Sequence, residues 1–331
     1  MELFKGINQI KLPLLKVGPE NVNVYIVEGT EGNLMIDTGW NTPEAFNTLA
    51  QEMKNSGFAM KDITDIVITH FHPDHIGLAG KIQELTGAKV SLSEIEGNLL
   101  DSRYFHSDNL LSELSAFLTS NGVPDWELKM LSEASFNIRS YVSPFKATKL
   151  LKNGDTVSMP PYEFQVIAAP GHSPGHICLY EPNKKYFFCG DHVLPEVVPN
   201  VSYHPQSGEN PLGDYVKSLE SLSELETRFI FPGHGSVFSG LAPMIDDIMR
   251  FHRDRMIRIQ RAMGVETKNA YDVAKSIPWV VNGEETAYDK LEPIDRRLAV
   301  LEALAHLQYM VAEGKGKKMS ENAKTIYFSG E

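Results

Sequence analysis

The sequence predicts a layered α/β (α+β) domain over residues 1–240, with helices covering its sheets, followed by a smaller, mainly helical domain over 241–331. Three observations predict it. Strand-like and helix-like hydrophobic periods alternate from the start of the chain, as a layered domain requires. Four strand-like runs end in His and Asp beside Gly or Pro, so polar side chains gather at one edge of the sheets. Beyond Gly240 the charge balance changes: residues 240–331 carry 14 Lys+Arg against 14 Asp+Glu, so the net charge of −12 belongs wholly to residues 1–239.

Length and composition bound the answer. A chain of 331 residues can bury one large core and a small one. Its 42% hydrophobic and 22% charged residues are ordinary for a soluble globular protein. No repeat or low-complexity run occurs. No segment has the ~18 uninterrupted apolar residues of a membrane helix, and MELFKGINQIKLPL lacks the apolar stretch of a signal peptide, so no membrane partner and a cytoplasmic location are expected. The two cysteines, Cys178 and Cys189, lie in apolar strand-like runs and read as reduced core thiols rather than a disulfide.

The elements follow in order. Strands are expected around Ile7–Leu12, Val22–Val27 and Asn33–Ile36, with turn residues between them. Pro43 opens an amphipathic helix through Met53. The β-branched, apolar run Ile63–Thr69 reads as a buried strand, and it leads directly into His70-Phe71-His72-Pro73-Asp74-His75. A strand period of two carries His70 and His72 out on the same side, where both imidazoles can reach one cation. Pro73 cannot continue sheet pairing but suits a first helical turn; Ile76, Leu78, Ala79, Ile82 and Leu85 then recur at helical spacing up to Gly87, a helix stop. Asp74 and His75 thus sit at a strand-to-helix turn and face a second position beside the first. Imidazole and carboxylate suit zinc, and iron or manganese can take the same ligands.

Residues 93–144 interrupt the alternation. Ile95, Leu99, Leu100, Leu110, Leu111, Leu114, Phe117 and Leu118, then Leu128, Met130 and Leu131, recur at helical spacing with no strand between, which predicts a helical insertion. Strands resume after Phe145. The segments AAPGHSPGH (168–176), CGD (189–191) and FPGHG (231–235) end or follow strand-like runs and bring His172, Asp191 and His234 to strand ends where Gly lets the backbone turn sharply. Cys189 should point away from that edge and is not assigned as a ligand. The Pro/Gly/Asn-rich stretch LPEVVPNVSYHPQSGENPLGDY is too long for a simple connector and follows Asp191 closely, so it is expected to be functional. His192, Tyr203 and His204 are the substrate-contact candidates; His192 equally suits a place behind the ligands.

Taken together, HFHPDH, PGHSPGH, CGD and PGHG resemble the metallo-β-lactamase-fold hydrolase superfamily, from about Leu12 to Gly240. The resemblance implies a four-layer αβ/βα sandwich in which His70, His72 and His172 hold one metal, Asp74, His75 and His234 hold the other, and Asp191 bridges them. It also implies that Asp37, in LMIDTGW, is a carboxylate beneath the first histidine motif; on its own Asp37 reads as a turn residue before Gly39. Segments placed like the insertion often overhang the metals, which makes Tyr104, Phe105, His106, Trp126 and Tyr141 pocket candidates, beside the plainer reading that they only pack the insertion onto the domain.

Two zinc ions so held imply hydrolysis, since metal binding lowers the pKa of a bound water to about 7 and supplies hydroxide near neutral pH. No GxSxG elbow supplies a serine nucleophile. The expected function is therefore a hydrolase using a metal-bound hydroxide on a small ester, thioester or lactone, with Asp74 orienting the water and Asp191 able to take up a proton. Retention of Asp191 and the lack of an export signal disfavour a true β-lactamase. Hydroxyacylglutathione hydrolases share the ligand set, although no glutathione-binding pattern is found in the tail. An oxygen-using iron enzyme of the same fold is a further alternative.

The tail carries the remaining alternatives. A helix from about Ala242 to Met263 has an apolar stripe at Ile245, Ile248, Met249, Met256 and Ile259, with Arg250, Arg253, Arg255, Arg258 and Arg261 largely elsewhere on its surface. A short helix in AYDVAKSI, a longer one from Pro293 to Glu313, a GKGKK turn and a strand in TIYF follow. That order resembles the winged helix of the superfamily branch that includes endoribonucleases, so a metal-dependent endoribonuclease acting on single-stranded RNA is an alternative, as is a nucleic-acid-binding regulator with a structural metal site. A neutral tail on an acidic body argues against a nucleic-acid partner. The preferred reading has a small-molecule substrate, with the wing as a homodimer contact or a cover for the pocket.

Overall fold

In a computed structural model, which describes residues 2–14, 20–106, 109–134, 137–281, 283–321 and 324–329, two sheets face each other. The first has seven strands in chain order: Glu2–Phe4, Ile7–Pro13, Asn21–Glu28, Asn33–Ile36, Ile63–Val67, Lys89–Ser93 and Ala147–Leu151. Its first four strands pair antiparallel and the rest parallel. The second sheet runs Phe229–Pro232, Tyr186–Gly190, Ile177–Glu181, Tyr162–Ala168 and Thr156–Met159.

Aromatic and branched side chains fill the space between the sheets. Tyr25, Leu34 and Val67 meet Phe164, Phe188 and Phe231, with Phe188 stacked on Phe231 at 4.4 Å between ring centroids and Tyr25 edge-on to Phe188 at 5.3 Å. The outer face of the first sheet is buried under the helices Pro43–Asn55 and Ala79–Thr86, through Leu49, Met53 and Ile82. The outer face of the second is buried under Pro211–Leu222 and the first half of Leu241–Met263, through Leu219, Ile245 and Ile248. The result is the four-layer αβ/βα sandwich that the resemblance implied. Covering both faces explains why strands such as Asn21–Glu28 read as nearly unbroken apolar runs.

Local chemistry accounts for most boundaries. Thr42 caps Pro43–Asn55 by accepting from the Ala45 amide, and Pro43 occupies the first turn. The single helix expected after Pro73 is instead two, Pro73–Ile76 and Ala79–Thr86. The break has a cause: the Leu78 amide donates to the Gly39 carbonyl rather than up its own helix, and Gly77 lies so close to that carbonyl that a Cβ would come within 2.6 Å of it. Gly87 ends the second helix at φ 74°. Leu85, expected on the apolar stripe, is 57% exposed, while Ala79 and Ile82 of the same helix are buried.

The insertion is helical, as Glu94–Leu100, Leu110–Ser120 and Asp125–Glu133. It shares a hydrophobic cluster with the tail: Leu118, Val123 and Leu131 pack with Ile259, Ala270 and Leu304. Glu127 is the polar centre of that contact, accepting from Tyr271 Oη at 2.7 Å, Tyr288 Oη at 3.3 Å and Arg296 Nη1 at 3.2 Å. The tail itself comprises Leu241–Met263, Ala270–Ser276 and Pro293–Ala312 with two hairpins, Trp279–Val281 with Glu284–Thr286 and Gly316–Glu321 with Lys324–Ser329. The GKGKK segment, expected as a turn, runs into the first strand of the second hairpin.

The arginines of the long helix also differ from expectation. Arg255 is buried, with Nε 3.5 Å from Glu302 and Nη1 donating to the Pro278 carbonyl at 3.0 Å. Arg250 pairs with Asp247 at 2.8 Å and Arg258 with Glu285 at 2.6 Å. Three of the five are therefore matched by carboxylates, which sequence spacing along one helix cannot reveal because two of the partners come from other elements.

Candidate metal centre

Seven side chains converge where the strands end. His70, His72 and His172 form one group, Asp74, His75 and His234 a second, and His70, His75 and Asp191 a third between them, with the ligand atoms of each group within 4.8 Å of one another. His70 Nε2 lies 2.9 Å from His72 Nδ1, which lies 3.0 Å from His172 Nε2. Asp191 Oδ2 is 3.2 Å from His234 Nε2, 3.5 Å from His75 Nε2 and 3.7 Å from His172 Nε2, so one carboxylate reaches both groups. Asp74 Oδ2 is 3.3 Å from His234 Nε2.

These residues fit metal ions. Two ligands at ~2.0–2.1 Å from a tetrahedral zinc are separated by about 3.3 Å, the middle of the observed range. His75 Nε2 and Asp191 Oδ1 are buried without a hydrogen-bond partner among the described residues, a costly arrangement that a cation would relieve. The far nitrogens of three of the imidazoles are meanwhile occupied: His172 Nδ1 donates to the Asn200 carbonyl at 2.8 Å, His234 Nδ1 to the Asn21 carbonyl at 2.8 Å, and His75 Nδ1 to Asp37 Oδ2 at 2.7 Å. Each such bond fixes the tautomer and aims the other nitrogen into the site.

The electrostatics agree. Burial, reinforced by neighbouring imidazoles, holds His70 and His72 well below the ordinary histidine range. Burial also acts to lower His234, but the carboxylates of Asp191 and Asp74 outweigh it and raise this group to about 10. His75 is raised in the same way against burial, by Asp191, Asp74 and Asp37. Carboxylates packed this densely demand positive charge, which protons supply when metal does not.

A profile of the Metallo-beta-lactamase superfamily matches residues 17–234, about two thirds of the chain and all seven of these side chains. The chain belongs to the metallo-β-lactamase superfamily. It is similar over 327 residues, at 25% identity and 93% coverage of both chains, to the probable metallo-hydrolase YqjP of Bacillus subtilis (strain 168). It is 28% identical over 225 residues to the acyl-coenzyme A thioesterase MBLAC2 of Homo sapiens, covering 65% of this chain and 74% of that one. Among solved structures, a metallo-beta-lactamase family protein of Thermus thermophilus superposes with a TM-score of 0.85 at 25% identity, covering 99% of this chain and 100% of that one. The protein is thus a metallo-hydrolase of this superfamily.

Asp37 holds the place that the resemblance implied. At φ 60° it accepts from the Thr69 amide and hydroxyl, both at 2.8 Å, besides His75. Sequence reasoning missed Glu96. Fully buried at the start of the insertion, it accepts from the Phe71 amide at 2.6 Å, the Gly175 amide at 3.1 Å and the Ser173 hydroxyl, tying the HFHPDH and PGHSPGH loops together. Burial pushes its carboxyl up to about 7 despite those three bonds. His176 was missed as well; its Nε2 accepts from the Asp191 amide at 3.1 Å and its ring stacks on His70. Only the repeated PGH of the 170s loop hinted at it.

The site opens onto a cavity of about 270 Å³, whose wall includes His72 and Asp74. Tyr104 and His204 line it, with Tyr104 Oη donating to the Phe71 carbonyl at 2.6 Å. Trp40 lines it too, and Tyr141 packs edge-on against Trp40 at 5.2 Å. The other candidates fall elsewhere. Phe105 packs against the core beneath the first sheet, His106 is exposed beside Asp101, and Trp126 is 71% exposed. His192 is buried behind the ligands, with Nε2 2.9 Å from Ser218 Oγ and its ring against Tyr215. Tyr203 packs against Phe117, its amide donating to the Leu301 carbonyl at 3.1 Å. Neither His192 nor Tyr203 is on the cavity wall, because the helices Pro211–Leu222 and Leu110–Ser120 take up their rings. Cys178 and Cys189 are buried free thiols on the far side of their sheet.

Proposed function

We propose that the protein is a two-zinc hydrolase of small thioesters or esters, with lactones as the related cyclic case. One observation carries this reading: seven side chains able to ligate metal converge beside a largely apolar cavity sized for a small molecule. The acyl-coenzyme A thioesterase relative supports the thioester bond. His70, His72 and His172 would hold one ion and Asp74, His75 and His234 the other, shared through Asp191. Bound there, the ions would make water acidic enough to act as a nucleophile near neutral pH.

The chain's own groups do the rest. Asp74, the most accessible carboxylate of the site, faces the cavity and can orient the attacking water, and Asp191 can take up its proton. The water oxygen bonds to the acyl carbon, the carbon–sulfur or carbon–oxygen bond breaks, and the thiol or alcohol leaves with the proton. Tyr104 is committed to a backbone carbonyl and braces the wall. The tail, winged-helix-like in its order of elements, covers the cavity through Ile294, Leu298 and Leu301 in this reading and need hold no nucleic acid. The paired and buried arginines of its long helix support that preference. Two reduced thiols accord with a cytoplasmic location, and no described helix is long and apolar enough to cross a membrane.

The test combines metal analysis with a panel of thioesters, lactones, aryl esters and single-stranded RNA, using Asp191→Ala as control. Roughly two zinc ions per chain and turnover of a small carbonyl substrate, lost in the variant, are expected. Cleavage of RNA with inert small substrates would overturn the reading in favour of an endoribonuclease.

A further inference from the structure

The cavity has a second chemistry beside its apolar wall. Leu110, Leu111 and Leu114 of the insertion and Ile294, Leu298 and Leu301 of the tail supply the apolar part. Arg103, Arg139 and Arg297 line the same space. Arg103 lies 4.0 Å over the ring of Phe71, the residue between His70 and His72, and donates from Nη1 to the neutral Gln206 at 3.0 Å. The three guanidinium groups sense one another: burial and then the charges of Arg103 and Arg139 bring Arg297 down to about 10.

Three guanidinium groups bordering one small cavity make a place where a planar anion gains from each, and the fork of an arginine matches a carboxylate. Size limits what can enter. A cavity of ~150 Å³ admits benzene, so 270 Å³ corresponds to about eleven non-hydrogen atoms. We propose that the preferred substrate is a short acyl thioester or ester whose acyl chain carries its own carboxylate, held by Arg103 with Arg139 and Arg297, while its methylenes lie against the leucine wall and its carbonyl faces His72 and Asp74. This rests on the hydrolase reading and adds the acyl class. Water adds to the carbonyl carbon, the carbon–sulfur bond breaks, the thiol leaves with a proton, and the product is a dicarboxylate.

The experiment compares N-acetylcysteamine thioesters of adipate and hexanoate on the zinc-loaded full chain. We expect kcat/KM for adipoyl to exceed that for hexanoyl by about tenfold or more, the worth of one charged hydrogen bond, and the ratio to fall to about one in Arg103→Gln and Arg139→Gln. A ratio of one or less in the unaltered protein, or one unmoved by either change, overturns the inference while leaving the hydrolase reading intact. If Arg103→Gln fails to fold, Arg103→Lys, which keeps the charge and loses the fork, should give an intermediate ratio; an unchanged ratio overturns the inference. If neither thioester is hydrolysed, the thioesterase reading falls, and thermal shift with adipate monoamide against hexanamide decides the anion site: stabilisation by the monoamide alone supports it, equal shifts or none overturn it.

Discussion

The metal centre and the cavity beside it are built in different ways. Five of the seven converging side chains stand at strand ends or in the loops after them, Asp74 and His75 stand on the short helix Pro73–Ile76, and short bonds to nearby backbone or to Asp37 aim the rings of His75, His172 and His234. The cavity wall comes from segments far apart in the chain: Trp40, the insertion around Arg103 and Leu114, the loop at His204, and the helix Pro293–Ala312. Chemistry therefore rests on the sandwich, and the shape of the substrate space rests on how insertion and tail pack together. Substitutions in the two regions should separate accordingly.

The largest effect is expected at the bridge. Asp191→Ala should remove turnover and lower the metal content, as read by elemental analysis and activity together; full metal occupancy with retained turnover would break the contrast. Glu96→Ala should come next, because it removes the tie between two loops of the site and leaves three donors, two backbone amides and a hydroxyl, without their acceptor. A loss of about 2–4 kcal/mol by denaturant unfolding is expected, with weaker metal retention. Asp37→Asn should weaken metal affinity by about 10–100-fold with the fold intact, measured by chelator competition. Leu298→Ala, in the cavity, should leave the metal content unchanged and alter KM, so a loss of metal there would blur the distinction.

A pH dependence sharpens the comparison further. In the chelated protein His234 is raised to about 10 from its ordinary 6.5. The sign follows: a raised histidine contributes stability that is full below 6.5 and lost as pH rises through about 10. Thermal unfolding of the metal-free protein should therefore show weakening stability between those values, and metal-loaded protein should not show that decline, since metal replaces the proton. Equal profiles with and without metal would count against His234 as a ligand.

Much of this was legible in the sequence. The strand period before His70, the Gly-flanked His172, Asp191 and His234, and the helical spacing of the insertion all act over a few residues, where chain geometry translates directly into position. The same locality explains the errors. The helix after Pro73 broke in two because Gly39, distant in sequence, captured the Leu78 amide. Arg255 went inward because Glu302 pairs with it and the Trp279 ring lies against it. Glu96 was invisible because nothing within its own helix shows that Phe71 and Gly175 will point their amides at it.

By itself, then, the sequence determined the alternation of strands and helices in a layered domain and the strand ends and turns that carry His and Asp, because these are written in neighbouring residues; the four-layer sandwich and the grouping of seven side chains were implied by the resemblance of its motifs. Only the tertiary structure decided that insertion and tail share one cluster, that His192 and Tyr203 lie off the cavity while Trp40 and three arginines line it, and that Glu96 braces the loops of the site. Burial, desolvation and hydrogen bonds between distant segments settle those matters, and such pairings have no local signature in the chain.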